Sequence, residues 1–420
     1  MTMNRRTFLY GSVAATAVLS SAGPVLAQGG DLKSRLDAAL RAHVDAGEIP
    51  MAVGGITDAS GTTYLAAFGE STLGSGETVT EDSVFNMASM TKAITATAAM
   101  QLVEQGKLDL DSPISTWIPD AANLEVLDGF DGDGKPVLRP AAREITLRDL
   151  MTHSAGTTYT LWDAELQQYS DAVGGMPSLD YDEPSTWMQP LKFDPGTRWE
   201  YGIAIDWIGR LVQEVSGQSL GTYMKANIFD PLGMESTGYK LTDSMAERRV
   251  ENHLRQEDGS LEVAEWNGQT DPVREYGGGG LYGTTPDYLK FIRMILNNGS
   301  GNGNQILKPE TVADMSTNQM GDVRVEMLHT TNSDRSLDAE FFPGLEKSWG
   351  LSFMINEEDA PTGRPAGSLA WAGLYNTFFW IDPSNGVGGV FMSQLLPFVD
   401  EKVLQAFYDF ESAYYDTEAS

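Results

Sequence analysis

The sequence predicts an α+β protein: an antiparallel sheet flanked by helices from both chain ends, with a mostly helical lobe inserted between its strands. Three observations predict it. Strand-like segments gather near both termini, each end also carries a one-faced helix, and the long middle is dominated by helical periodicity. With 420 residues, 41% of them hydrophobic and 21% charged, the chain is long enough for one large or two fused domains with a substantial core.

The elements follow in order. Residues 1–27 read as an export signal. Arg5 and Arg6 precede an apolar run ending at Val25-Leu26-Ala27, where small residues suit cleavage after Ala27. Paired arginines point to the twin-arginine route, so the expected location is periplasmic or secreted, with no membrane anchor after cleavage. From Asp31 to Ala46, Leu32, Leu36, Leu40 and Val44 recur every fourth residue, a helix closed by Gly47. Ala52 to Ile56 and Tyr64 to Phe68 read as strands around the turn Asp58-Ala59-Ser60-Gly61. Near the other end, Ser348–Ile355, Ser368–Ala372, Thr377–Asp382 and Gly389–Ser393 read as four more strands. A last amphipathic helix carries Val403, Leu404, Phe407, Phe410 and Tyr414. Residues 28–420 are therefore expected to form one domain. An α/β lobe comes from 28–82 and 341–420, and a helical lobe from 83–340. The cleft between them is the natural place for a site.

Composition excludes several classes. There is no cysteine, hence no disulfide, thiolate metal site, cysteine nucleophile or lipid anchor on an N-terminal cysteine. The formal net charge of −31 repels nucleic acid and anionic membranes, and reads otherwise as a solubility feature. After the first thirty residues no stretch is long and apolar enough to cross a bilayer. No metal and no cofactor is expected. H-E-x-x-H is absent, and Asp128 to Gly134 reads as a solvated acidic turn rather than a calcium loop. The glycines at 277–280 lack the lysine of a phosphate-binding loop and read as tight backbone beside the cleft. Trp162, Trp187, Trp199, Trp207 and Trp266 read as core or cleft wall.

The chemistry-bearing pattern is Ser89-Met90-Thr91-Lys92, opening an almost uniformly apolar helix closed by Gly106. Serine and lysine three apart share a helix face, and a first-turn serine lies in the positive end of the helix dipole. A serine hydroxyl is a poor nucleophile until a base takes its proton. Burial disfavours the charged form of a lysine and so can make it that base. S-x-x-K is a serine-acylation motif, but the spacing equally describes a helix-capping serine with a lysine reaching solvent. The rival mechanism is a Ser-His-Asp triad. No nucleophile elbow, a G-x-S-x-G serine between strand and helix, is read in the chain. Of the four histidines, His43 reads as structural on the first helix and His153 as a structural hydrogen-bonding residue at a helix end. His253 and His329 read as lying in polar connections.

Further segments carry a resemblance: Phe193 to Tyr201, running from a turn into a helix; Trp371-Ala372-Gly373-Leu374 near the C-terminus; Ile145 to Gly156; Ile228 to Met234; and Gly277 to Leu281. With Ser89 and Lys92, in this order, the chain resembles the serine β-lactamase and penicillin-binding-protein superfamily. It is most similar to class C β-lactamases and family VIII carboxylesterases. The resemblance covers nearly the whole chain after residue 27 and implies a β-lactamase/transpeptidase-like fold. It implies Ser89 as nucleophile, Lys92 as its partner and Tyr201 as a proton relay, with backbone N–H groups of Ser89 and Leu374 forming an oxyanion hole. The substrate pocket would include Ile203, Trp371, Ala372 and Gly373.

Two departures bear on substrate. Ile203 stands where the family's Tyr-x-Asn element has asparagine, and Trp371 where Lys-Thr-Gly has lysine. Trp371 and Ala372 offer bulk and apolar surface in place of a cation and a hydroxyl. Losing a charge-assisted contact costs ~1.5–3 kcal/mol, or ~10- to 100-fold in affinity. Carboxylate-bearing lactams and D-alanyl peptides are therefore expected to be poor substrates, and small neutral esters better ones. The expected function is a carboxylesterase working through an acyl-enzyme on Ser89. The alternatives are a β-lactamase or D-alanyl peptidase, an acyltransferase to an alcohol, and a non-catalytic penicillin-binding sensor.

Overall fold

The computed structural model describes residues 29–176, 179, 183–264 and 270–416. The leader at 1–27 and Trp266 lie outside them. The central sheet has seven strands, here numbered in chain order: β1 (Met51–Asp58), β2 (Thr62–Gly69), β3 (Lys347–Trp349), β4 (Met354–Asn356), β5 (Leu369–Gly373), β6 (Thr377–Asp382) and β7 (Val387–Met392). Their spatial order is β3-β4-β5-β6-β7-β1-β2, antiparallel throughout. The N-terminal hairpin thus joins the C-terminal strands along one seam, with Val53 opposite Met392 and Asp58 opposite Val387. The fold is β-lactamase/transpeptidase-like, as the sequence predicts.

Two helices from the chain ends, α1 (Gly29–Asp45) and α5 (Glu401–Tyr415), cover one face. Phe407 stacks on Phe378 at 4.6 Å, and Phe410 meets Trp380 at 6.0 Å. The other face is covered by α4 (Thr285–Leu296), through Tyr288 on Phe379 and Arg293 on Thr57. Gly54 and Gly55 show why both layers fit so closely. A Cβ at Gly54 would stand 2.7 Å from Leu40 Cδ1, and one at Gly55 2.7 Å from Leu289 Cδ1 on the opposite side, because successive strand residues face opposite ways.

Two expectations are corrected. Ser348–Ile355 is not one strand: β3 and β4 are an antiparallel pair joined by a turn at Gly350–Phe353, where Ser352 has φ 76°. A left-handed residue ends strand geometry, and the chain reverses. The middle segment is also less purely helical than its periodicity implies. Glu125–Phe130 pairs with Pro136–Pro140, and Asn252–Arg255 pairs with Leu261–Ala264 and with Leu395–Leu396. The acidic turn at 128–134 caps the first of these hairpins, with Asp131 accepting the N–H groups of Asp133 and Lys135. A boundary drawn at 83 and 340 leaves α4 in the helical lobe, although it packs on the sheet.

The insertion is built around α2 (Thr91–Glu104), buried along most of its length, which packs on α3 (Ala204–Ser216). Trp162, Trp187, Trp199 and Trp207 are all buried. Among the described residues no helix is long and apolar enough to cross a membrane.

Candidate active site

Ser89 sits in a one-turn 3-10 step, Ala88–Met90, that runs directly into α2. The backbone before it is strained: Ala88 has φ 43°, a left-handed conformation costing a non-glycine residue ~1–2 kcal/mol. Neighbouring groups hold it. Asn86 Oδ1 accepts the Ala88 N–H at 3.0 Å, while Gln394 accepts the Asn86 N–H at 2.8 Å and donates to its carbonyl at 3.3 Å. Met87 N–H donates to Leu281 O, and Tyr288 of α4 donates to Met90 O. The turn is thereby tied to the segment just after the sheet's last strand, to the glycine-rich segment and to the helix behind.

Lys92, in the first turn of α2, is 1% exposed. Its side-chain nitrogen lies 3.1 Å from Ser89 Oγ, and it donates to Gly278 O at 2.7 Å and to the Tyr159 hydroxyl at 3.3 Å. Within the run at 277–280, Gly277 and Gly278 are tight backbone beside Lys92. A Cβ on Gly277 would lie 2.3 Å from Ile205 O, and one on Gly278 2.6 Å from Asp206 Oδ2.

Tyr201 approaches from the segment before α3. Its ring centroid is 4.7 Å from Lys92 Nζ, and it packs against His153, Trp371, Trp162 and Tyr159 at 4.7, 4.8, 5.5 and 5.8 Å. Its carbonyl accepts from Thr158 Oγ1, and its hydroxyl accepts the indole N–H of Trp371 at 3.0 Å. Here the expectation for Trp371 is corrected. It supplies apolar bulk, but also a donor aimed at the tyrosine oxygen. Ala372 follows it on β5, and Gly373 abuts the turn that carries Ser89: a Cβ there would lie 2.4 Å from Met87 O. Leu374, whose N–H the resemblance places in the oxyanion hole, begins the turn closed by Asn376 N–H on Gly373 O. Ile203 is buried at the start of α3.

The structure thus brings Ser89, Lys92, Tyr201 and Trp371 together, with one change of partner. The phenol hydrogen-bonded to Lys92 is Tyr159, which sequence reading misses. It lies three residues beyond Gly156, where the segment matched to the family ends. Burial, with Asp206 and Tyr201 nearby, pushes the Tyr159 phenol well above its usual range. Asp206, also missed, lies buried on α3, accepting the Gly278 N–H at 2.9 Å. Burial pushes its carboxyl upward, opposed by Lys92 and the Gly278 N–H.

His153 ends the short helix Leu147–Met151 with φ 55°, and is boxed by Trp199, Tyr201 and Trp349. Contrary to expectation, neither ring nitrogen has a hydrogen-bond partner among the described residues. Burial, and then Lys92, hold it well below its usual range and so neutral. His253 is not in a polar connection but buried on the strand Asn252–Arg255, taking the Leu73 N–H and facing Gln394 O. His43 bridges Glu48 and Asp409, and His329 is exposed beside Asp338. The G-x-S-x-G spacing does occur, at Gly217–Gly221. It joins two helices, however, and its Ser219 caps the second of them, so it forms no elbow.

A serine beside a buried lysine, two phenols packed on that lysine, and the end of an inner sheet strand abutting the serine's turn are the arrangement of the serine β-lactamase and penicillin-binding-protein superfamily. The chain belongs to the beta-lactamase family, whose model matches residues 36–413. It is 35% identical to a lovastatin esterase of Penicillium rubens over 371 residues, covering 84% of this chain and 91% of that one. It is 32% identical to monacolin J acid methylbutanoyltransferase of Aspergillus terreus over 397 residues, covering 90% and 95%. Among solved structures it resembles an LovD6 mutant of simvastatin synthase from Aspergillus terreus, with TM-score 0.78, 29% identity and coverage of 94% and 99%.

Proposed function

We propose that the protein is a serine hydrolase, acylated on Ser89 by small neutral esters and deacylated by water. The observation that carries this reading is the 3.1 Å contact between the buried Lys92 side-chain nitrogen and Ser89 Oγ. In the proposed reaction Ser89 gives its proton to the Lys92–Tyr201 pair while Oγ bonds the ester carbonyl carbon. The carbonyl oxygen becomes an oxyanion facing the Ser89 and Leu374 N–H groups, donors that stabilise charge present only in the transition state. The carbon–alkoxy bond then breaks, and the departing alkoxide takes the proton back. Water repeats the sequence on the acyl-enzyme and restores Ser89. The surroundings favour neutral acyl groups: Tyr159, Trp162, Tyr201, Trp371, Phe341 and Phe398 meet ring to ring around the pair.

A fluorophosphonate probe should label the wild type on Ser89 and leave Ser89→Ala unlabelled. p-Nitrophenyl acetate and butyrate should be turned over faster than nitrocefin; the reverse order would overturn the esterase reading. A second reading, transfer of the acyl group to an alcohol, is favoured by the acyltransferases among the relatives. It would show as a new ester when an alcohol is added. An acyl adduct on Ser89 that outlasts substrate would instead mark a sensor. Residues 1–27 are proposed to direct export, so protein recovered outside the cytoplasm should begin at Gln28.

A further inference from the structure

Asp206 is a buried carboxyl that the proposed reaction leaves without a task. It lies on the first turn of α3, five residues after Tyr201, and is 4% exposed. One oxygen accepts the Gly278 N–H at 2.9 Å, and the carbonyl of that same residue accepts from Lys92 Nζ at 2.7 Å. The other oxygen accepts from the Tyr159 hydroxyl at 3.5 Å, and that hydroxyl accepts from Lys92 at 3.3 Å. Two short paths therefore run from one carboxyl to one amine. Their geometry is tight, since a Cβ on Gly278 would strike Asp206 Oδ2 at 2.6 Å. Arg210, one turn further along α3, reaches Asp120 at 3.8 Å and the rings of Trp187 and Trp207. The groups facing Asp206 are thus Lys92 from α2, Tyr159 from the preceding segment and the Gly278 N–H. Those facing Lys92 also include Ser89, the Tyr201 ring and the neutral His153.

We infer that Asp206 is a positioning residue: it fixes the Gly278 peptide and the Tyr159 hydroxyl so that both hold the Lys92 amine against Ser89, and it supplies the negative charge that faces that amine. The inference rests on the reading of Ser89 as the acylated residue. Asp206→Asn keeps an oxygen for the Gly278 N–H, but removes the charge and offers Tyr159 a donor. A carboxylate favours the charged form of a nearby amine. Its removal should therefore move the acid limb of the pH profile to lower pH, while holding the amine less firmly.

The test measures the second-order rate of Ser89 labelling by a fluorophosphonate across pH, with the melting temperature of each variant. The expected result for Asp206→Asn is labelling slower by about 10- to 100-fold at the wild-type optimum, near the worth of a charged hydrogen-bonding partner. The acid limb should be displaced toward lower pH, and the melting temperature nearly kept. Labelling at the wild-type rate, or slower labelling with the limb in place, would overturn the inference, since a merely structural role would leave the limb unmoved. If the wild type is not labelled on Ser89, it is instead the functional reading that fails. Should Asp206→Asn not be recovered folded, Tyr159→Phe carries the test. It severs one path and should slow labelling about 3- to 10-fold; an unchanged rate overturns the inference.

Discussion

The hydrogen bond from Trp371 to Tyr201 yields the sharpest prediction. Trp371→Phe keeps an aromatic ring on β5 and removes the indole N–H that meets the Tyr201 oxygen at 3.0 Å. If Tyr201 carries the proton between Ser89 and the leaving group, its oxygen becomes most negative in the transition state. A donor to a charged oxygen is worth ~1.5–3 kcal/mol, so kcat/KM should fall ~10- to 150-fold. The substitution also thins a cluster in which Trp371 packs on Trp349 at 4.7 Å and Phe341 at 5.9 Å, a loss of about 1–3 kcal/mol in stability. A control separates the two effects. Trp349 is fully buried in the same cluster, and its indole nitrogen has no hydrogen-bond partner among the described residues. Trp349→Phe should lower the melting temperature comparably while reducing kcat/KM for p-nitrophenyl butyrate less than ~3-fold, since no donor to Tyr201 is lost. Equal losses of activity in the two variants would show that Trp371 acts by packing alone, and the reasoning would be refuted.

Burial, with Asp163 nearby, pushes the Glu200 carboxyl up to about 7. A raised folded value means stability present below the unfolded value of 4.5 and lost as pH rises toward 7. Glu200→Gln should therefore raise the melting temperature more at pH 8 than at pH 5, and equal shifts at both would count against this account. His43 is shifted upward by its hydrogen bond to Asp409, burial opposing and Glu48 adding. Its contribution is complete below about 6.5 and disappears as pH rises through the folded value. His43→Gln should lower the melting temperature at pH 6 and lose that effect in alkaline solution. Gly202→Ala would set a Cβ 2.3 Å from Thr158 Cα, backbone that cannot yield without moving Tyr159. A loss of about 1–3 kcal/mol together with activity is expected, read by chemical denaturation and ester turnover.

What could be read from the sequence follows the range of each interaction. Ser89 and Lys92 lie three apart, so helical geometry alone pairs them. Ala52 to Ile56 and Thr377 to Asp382 declare themselves as strands by composition and flanking turns. Contacts across the chain left weaker marks. Trp371 and Tyr201 are 170 positions apart, and nothing local reveals that an indole replacing a lysine still presents an N–H. His253 reads as polar because its neighbours are polar; pairing with the far strand at Leu395 is what buries it. Tyr159 lies among threonines in a loop, where neither periodicity nor turn chemistry marks a residue that faces the lysine. The break in Ser348–Ile355 is likewise set by Ser352, which a strand-like composition conceals.

The seam between the first hairpin and the final strands has a consequence for when the molecule becomes competent. Gln394 braces the backbone under Ser89, and Trp371 tops the Tyr201 phenol, yet both follow the whole insertion along the chain. A ribosome-bound or C-terminally clipped chain can own the serine and lysine and still lack the parts that aim them. Such distant pairings form slowly, because much chain must be ordered before any reward arrives. Catalysis should therefore switch on late and all at once, with the closing of the sheet.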